Sequence, residues 1–359
     1  MSEADAVRGE DAFDVAAVHA WLGEQGEQGE SPQVWQGEPP QVRQFSGGAS
    51  NLTYLLAYPG RELILRRPPR GTKASSAHDM RREYRVQSLL RPVFPYVPEM
   101  VAMCTDPSVI GSDFYVMERI PGTIVRTEWP DGVSLTEDQA AGLCRNVFDR
   151  LIDLHSVDPA AAGLADLGKG PGYVGRQVSG WTDRYRKALT PDAPDFDAVI
   201  DWLAAHQPHD VGACVIHNDY RLDNIVLDPA QPWDSPTAVR GVLDWEMATV
   251  GDPLMDLGSA LAYWVQADDN EEFGLLRRQP TTTAGMLTRA QIVAYYGERT
   301  GRDVAAWPFY ETFGLFRLAV IVQQIYYRYF HGQTTNPAFK HFGFAAVFLR
   351  DQALRAMAG

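Results

Sequence analysis

The chain has 359 residues, of which 45% are hydrophobic and 22% charged, enough to bury a sizeable core without metal or disulfide staples. Its 32 basic and 46 acidic residues leave a net charge of −14, which repels a phosphate backbone and argues against nucleic acid as the main partner. A nucleotide is not excluded, because it needs only a local cationic, metal-lined pocket.

Cys104, Cys144 and Cys214 are far apart and show no C-x-x-C spacing, a sparse set that fits a reducing compartment. The first residues are acidic, with no basic stretch followed by an apolar run. The longest uncharged apolar-rich stretch, between Asp256 and Asp268, is too short to span a bilayer. A cytoplasmic protein without a membrane partner is expected.

In chain order, residues 1–40 read as an acidic arm rich in Gly, Gln and Pro, with a short helix at Phe13–Leu22. From Gln41 the pattern becomes strand, glycine turn, strand, turn, strand, with Pro59-Gly60 as a turn. Ser76 and Asp79 resemble a capping box for a helix carrying Met80, Tyr84 and Leu89 on one face and stopping before Pro92. Residues 114–122 read as a further strand ending in a Pro-Gly hinge. Residues 41–122 thus form a small sheet with one helix across it. Residues 123–359 are mostly helical. Ser134 to Glu137 is a second capping box, and Leu143, Val147, Leu151 and Leu154 keep a helical period behind it. Residues 215–227 and 239–245 read as short strands, and 309–330, apolar on most sides, as a buried helix.

The densest chemical signal is VIHNDYRLDNIVLD at 215–228, which sets His217, Asp219 and Asn224 between apolar runs; a later apolar run ends in Asp244. Phosphoryl transfer to a hydroxyl needs a carboxylate to orient that hydroxyl and take its proton, the role suited to Asp219. Mg²⁺ is a hard ion that prefers oxygen ligands, which the Asn224 amide and the Asp244 carboxylate can supply. His217 reads as a residue that shapes the loop, and Asp223 as a loop residue.

Several segments together resemble the aminoglycoside phosphotransferase and choline kinase family: FSGGASNLTYLL, LILRRPP, REYRVQSLL, FYVMERIPG, the 215–228 loop, GVLDWEMATVGDPLMDLG and FGLFRLAVIVQQIYYRY. Within it the chain is most similar to the branch related to the kinase-like domain fused to certain acyl-CoA dehydrogenases. The resemblance covers about residues 40–330. It implies an α+β, protein-kinase-like, two-lobed fold, with a small antiparallel-sheet N-lobe and a larger, mostly helical C-lobe. It implies a kinase that uses ATP (or GTP) and Mg²⁺ and acts on a small-molecule hydroxyl acceptor.

Carried over by the resemblance, Gly47, Gly48, Ser50 and Asn51 belong to the loop over the nucleotide phosphates, and Glu83 pairs with a basic residue of the third strand. The backbone around Glu118 and Ile120 meets the adenine edge, and Asp256 braces the catalytic loop. The family's third-strand Lys is replaced here by Arg66 or Arg67. Arg66 shares a strand face with Ile64 and is the expected phosphate contact, although a planar fork is longer and differently hydrated than an ammonium.

The stretch 163–169 fits G-x-x-x-x-G-K, but Gly170 follows instead of Ser or Thr and no strand precedes it, so it reads as a loop. His206 and His209 lack a third ligand nearby. Asp268, Asp269, Glu271 and Glu272 read as a solvated acidic loop, or as an attractor for a cationic acceptor. The branch resemblance points instead to a hydroxylated acyl compound. A catalytically silent nucleotide-binding scaffold and an aminoglycoside or aminosugar kinase are the alternative readings, and the residues are silent on oligomeric state.

Overall fold

The computed structural model describes residues 4–26, 37–45, 51–69, 79–334 and 336–358. The chain divides into two compact units: Met1–Ile124 with Arg240–Met247, and Val125–Val239 with Ala248–Gly359.

The first unit is built on a five-stranded antiparallel sheet of order β1-β2-β3-β5-β4: β1 (Gln41–Gln44), β2 (Leu52–Tyr58), β3 (Arg61–Arg67), β4 (Met100–Cys104) and β5 (Phe114–Glu118). Pro59 and Gly60 close the β2–β3 hairpin, and Gly60 takes φ +77°, a conformation a side chain would strain. Alternation along β3 divides its side chains between two faces. Leu63 and Leu65 pack with Tyr54, Leu56 and Val116 beneath Val18 and Leu22 of α1 (Val15–Gly26). Ile64 turns the other way, to Leu55, Tyr115 and Met117, and meets Met80 of α2 (Met80–Leu90).

The cap of α2 is Asp79, whose side chain accepts from the Arg82 amide. Ser76 of the expected capping box, like Gly47, Gly48 and Ser50, lies outside the described residues. The short α3 (Pro107–Ile110) joins β4 to β5, and β6 (Thr123–Ile124) follows. Residues 240–247 join this unit through the Val242 amide, which donates to the Tyr96 carbonyl (2.7 Å), and through Trp245, fully buried edge-on against Phe94.

The second unit holds α4 (Glu137–His155), α5 (Tyr173–Lys187), α6 (Asp197–Ala205), β7 (Cys214–Ile216), β8 (Ile225–Leu227), β9 (Val239–Val242, which runs on into the first unit) and β10 (Thr249–Gly251). It continues with α7 (Pro253–Leu261), α8 (Glu271–Gly274), α9 (Arg289–Thr300), α10 (Trp307–Phe330) and α11 (Phe342–Ala356). The α4 capping box lies two residues beyond the expected one: Thr136 accepts from the Gln139 amide, and the Gln139 side chain accepts in return from Thr136. Both overlapping stretches fit the motif. The one used places Glu137 and Asp138 in the first turn, where the helix dipole favours acids.

α10, expected as a buried helix, is not buried along its whole length. It is buried from Phe309 to Val320, whereas Ile321, Val322 and Ile325 border a cavity. Its buried half crosses α7 at backbone distance. A Cβ on Gly314 would stand 2.1 Å from the Gly258 carbonyl oxygen, and one on Gly258 would stand 2.4 Å from that of Tyr310. Among the described residues no helix is long and apolar enough to cross a membrane.

Candidate active site

In the first unit, strand parity decides between the two arginines. Arg67 follows Leu65 to the α1 face, where it lies over the Phe13 ring and donates to the Tyr54 hydroxyl and the Asp11 carbonyl. Arg66 follows Ile64 to the α2 face and reaches Glu83 (Nη1 to Oε1, 3.1 Å). The same guanidinium meets Asp244 through both Nη atoms (3.1 Å each) and Glu246 (3.3 Å). Asp244 takes φ +67°, a left-handed conformation uncommon outside glycine.

Three carboxylates therefore share one cation. Burial opposes the Arg66 charge, but Glu83 and the acids beside it raise the pKa well above its ordinary value. Burial also pushes the Glu83 carboxyl up, against the pull of Arg66. The Tyr115 hydroxyl donates to Glu83 Oε1 (2.8 Å), while among the described residues Glu83 Oε2 and Arg66 Nε, both buried, have no hydrogen-bond partner. Glu246, which sequence reasoning passed over, also accepts from the Asn51 amide (2.9 Å) and so ties the start of β2 to this cluster. Its only sequence signal was an acid two positions after Asp244. At the end of β5 the Glu118 amide is committed to the Glu99 carbonyl (2.8 Å), and the Glu118 side chain pairs with Arg61. Ile120, two residues on, is half-buried.

In the second unit, the loop between β7 and β8 is held by one carboxylate. Asp256, on the first turn of α7, accepts from the backbone amides of His217 (2.8 Å) and Asn218 (2.7 Å). It also faces His155 Nε2 (3.0 Å), whose Nδ1 meets the Tyr296 hydroxyl (2.8 Å). Burial lowers the His155 pKa and keeps the imidazole neutral, so Nε2–H donates to Asp256 and Nδ1 accepts from Tyr296. Burial works against a charge on Asp256 too, yet the bonds from His155 and the amides outweigh it and hold the carboxyl below its usual range.

The loop then turns through Asn218 at φ +65°, whose carbonyl accepts from Arg317 of α10 (2.7 Å). His217 is fully buried, and its Nδ1 accepts from the Asp219 amide (3.2 Å). Asn224 closes the loop by donating from Nδ2 to the Asp219 carbonyl (2.8 Å) and carboxylate (3.3 Å). That use of the amide nitrogen orients Asn224 Oδ1 away from Asp219 as an oxygen donor of the kind Mg²⁺ prefers.

Arg221, also passed over, bridges Asp219 (3.3 Å) and Asp223 (3.3 Å) and stacks over the Tyr263 ring. Burial raises the Asp223 pKa, with Arg221 opposing. Both Arg221 and Asp223 line a cavity of about 710 Å³ that lies wholly within this unit. Among the described residues no three His, Cys, Asp or Glu side chains cluster to hold a metal. In the acidic run, Asp269 pairs with Arg289 (2.7 Å) and Asp268 accepts from Gln266, while Glu271 and Glu272 are exposed. The segment 163–170 carries a single 3₁₀ turn, Ala165–Leu167.

These motifs match a known family over most of the chain, since a profile of the Phosphotransferase enzyme family covers residues 41–307. The chain belongs to that family. Among its relatives, acyl-CoA dehydrogenase family member 10 of Mus musculus is 36% identical over 303 residues, and member 11 of Rattus norvegicus 34% identical over 300. The matches cover 83% and 82% of this chain but only 27% and 37% of those proteins, so this phosphotransferase-family chain spans about a third of their length. A Ralstonia eutropha structure named as an aminoglycoside phosphotransferase superposes with TM-score 0.79 at 30% identity, over 97% of this chain and 99% of that one. A thermostable mutant of another aminoglycoside phosphotransferase, solved with AMP-PNP and hygromycin B, superposes at 0.56 with 15% identity, over 89% and 94%, which speaks to the fold. The fold is the kinase-like α+β fold of the aminoglycoside phosphotransferases.

Proposed function

We propose that this chain is an ATP- and Mg²⁺-dependent small-molecule kinase that moves the γ-phosphoryl group to a hydroxyl, with a hydroxylated acyl compound as acceptor. The observation that carries the reading is the loop of Asp219. Its carboxylate is set on a backbone turn held by Asp256, and Arg221 and Asp223 of the same loop open onto a cavity of ligand size.

Asp219 orients the acceptor hydroxyl and takes its proton as the oxygen bonds to the terminal phosphorus; the nucleoside diphosphate leaves with the electron pair of the broken P–O bond. Asn224 and Asp244 supply the oxygens that would hold Mg²⁺, which when bound neutralises phosphate charge. Arg66, set by Glu83, takes the phosphates in place of the family's Lys. The loop of Gly47, Gly48, Ser50 and Asn51 is assigned to those phosphates, and the backbone around Glu118 and Ile120 to the adenine edge.

The cavity supports an acyl acceptor over an aminosugar. Its ionisable lining is Arg126, Arg221, Arg278 and His341 against the single acid Asp223, and the rest is mostly aliphatic and aromatic. One observation favours the silent-scaffold reading: Arg66 spends both Nη atoms on Asp244.

A panel of hydroxylated acyl compounds and aminoglycosides, assayed for ADP release with ATP and Mg²⁺, decides among the three. The acyl compounds should release ADP, and Asp219→Ala should lower that release by about 10²–10⁴-fold, the usual range for a general base. Thermal stabilisation by nucleotide without ADP release from any acceptor would establish the scaffold.

A further inference from the structure

The cavity beside the catalytic loop has a direction. Its near end is defined by three tethers. Arg317 donates to the Asn218 carbonyl, which pins that turn of α10 to the loop, and Leu318 is the next residue. Gln279 Oε1 accepts from the Leu222 amide (2.7 Å), which brings its neighbour Arg278 alongside. The Thr127 carbonyl accepts from Arg277 Nη1 (2.6 Å), which brings its neighbour Arg126 to the segment that carries Arg278. Arg126 and Arg278 are both exposed and both line the cavity, so two guanidinium groups stand at the end where the catalytic loop lies.

From there the cavity follows α10. Leu318, Ile321, Val322 and Ile325 line it at i, i+3, i+4 and i+7, a single helical face. Seven residues of helix span roughly 10 Å, about the length of an eight-carbon chain. α11 returns antiparallel, its Gly343 against the Tyr326 ring, so Leu349 faces the near end and Phe342 the far end. The slot therefore has its guanidinium groups at the chemistry and an aliphatic and aromatic wall away from it, with His341 beside Phe342 at the far end, and Ile325 stands on the apolar wall toward that end.

We propose that this slot holds an anionic amphiphile, with its acidic group at Arg126 and Arg278 and its apolar arm along α10, and that Ile325 sets the length of arm accepted. The inference rests on the kinase reading for what happens to the hydroxyl, but the slot can be probed without turnover.

The test is calorimetric titration of the full chain with straight-chain saturated carboxylates from butanoate to dodecanoate, below their micelle concentrations. Affinity should climb with each carbon, by up to about fourfold per methylene, the fold-change equivalent to roughly 0.8 kcal/mol per buried methylene. It should level off once the slot is full. Ile325→Trp should move the plateau to shorter chains and Ile325→Ala to longer ones, while Arg278→Gln should weaken every chain by a similar factor without moving the plateau. The proposal is overturned if affinity does not depend on chain length, or if neither Ile325 variant, each checked for native thermal unfolding, moves the plateau. Chain-length-dependent binding with no ADP release from any hydroxylated acceptor would remove the kinase reading and leave the slot standing. ADP release from such acceptors, with a chain-length profile that neither Ile325 variant alters, would do the reverse.

Discussion

Arg66 and Asp256 are both buried charges at the centre of a hydrogen-bonded cluster, and they are held in opposite ways. Arg66 is shared among three side-chain carboxylates, and among the described residues its own Nε and one oxygen of Glu83 have no hydrogen-bond partner. Asp256 is shared between two backbone amides and a neutral imidazole. Side chains change partners by rotating, whereas backbone amides move only if the fold moves. The Arg66 cluster is thus built to exchange partners, and the Asp256 cluster to keep the loop of Asp219 in one place. Under the proposed kinase reading, the first kind of construction suits a site that admits phosphates and a metal, and the second suits one that aims a base.

The largest effect should come from breaking the fixed cluster. Asp256→Ala strands the His217 and Asn218 amides and the His155 ring, and should cost about 3–5 kcal/mol of unfolding free energy, read by urea titration. The pH dependence has a definite sign. The folded-state pKa of Asp256 lies below its ordinary 3.8, so its contribution is complete above that value and is lost as pH falls through the lowered one. Subtracting an Asp256→Asn titration from the wild type should isolate that acid limb; identical acid limbs would refute the assignment.

Next is the α7–α10 crossing, which carries both Asp256 and Arg317. Gly314→Ala forces a methyl against the Gly258 carbonyl and should cost about 1–3 kcal/mol, lowering the melting temperature. A neutral result would mean that the helices can separate at no cost and that the second unit is less rigid than the contrast requires. Thr136→Ala, which removes the α4 cap, should cost about 1 kcal/mol in the same assay.

The smallest effect is expected at the exchangeable cluster. Glu246→Gln leaves Arg66 paired to Glu83 and Asp244 and keeps an oxygen for Asn51, so stability should change by only about 1 kcal/mol. A loss as large as that of Asp256→Ala would erase the distinction between the two clusters.

Much of this was legible in the residues. The choice of Arg66 over Arg67 needed only the alternation of a strand, and the loop from His217 to Asn224 was visible as polar residues between apolar runs. Hidden were Glu246 and Arg221, whose partners lie far along the chain or across a loop whose path a linear reading does not give. The α4 cap slipped by two residues because two overlapping stretches satisfy the same local rule.

Amino-acid order alone settled which family this chain belongs to and which face of each local element its polar residues occupy, because side-chain direction along a strand or helix is set by backbone geometry within a few residues. Only the packed chain decided that Leu318, Ile321, Val322 and Ile325 would line a slot instead of filling a core. An apolar helical stripe is the same string of letters in either setting. Whether it is covered depends on where α11 and the 275–278 segment come to rest, which is a matter of contacts between residues distant in sequence.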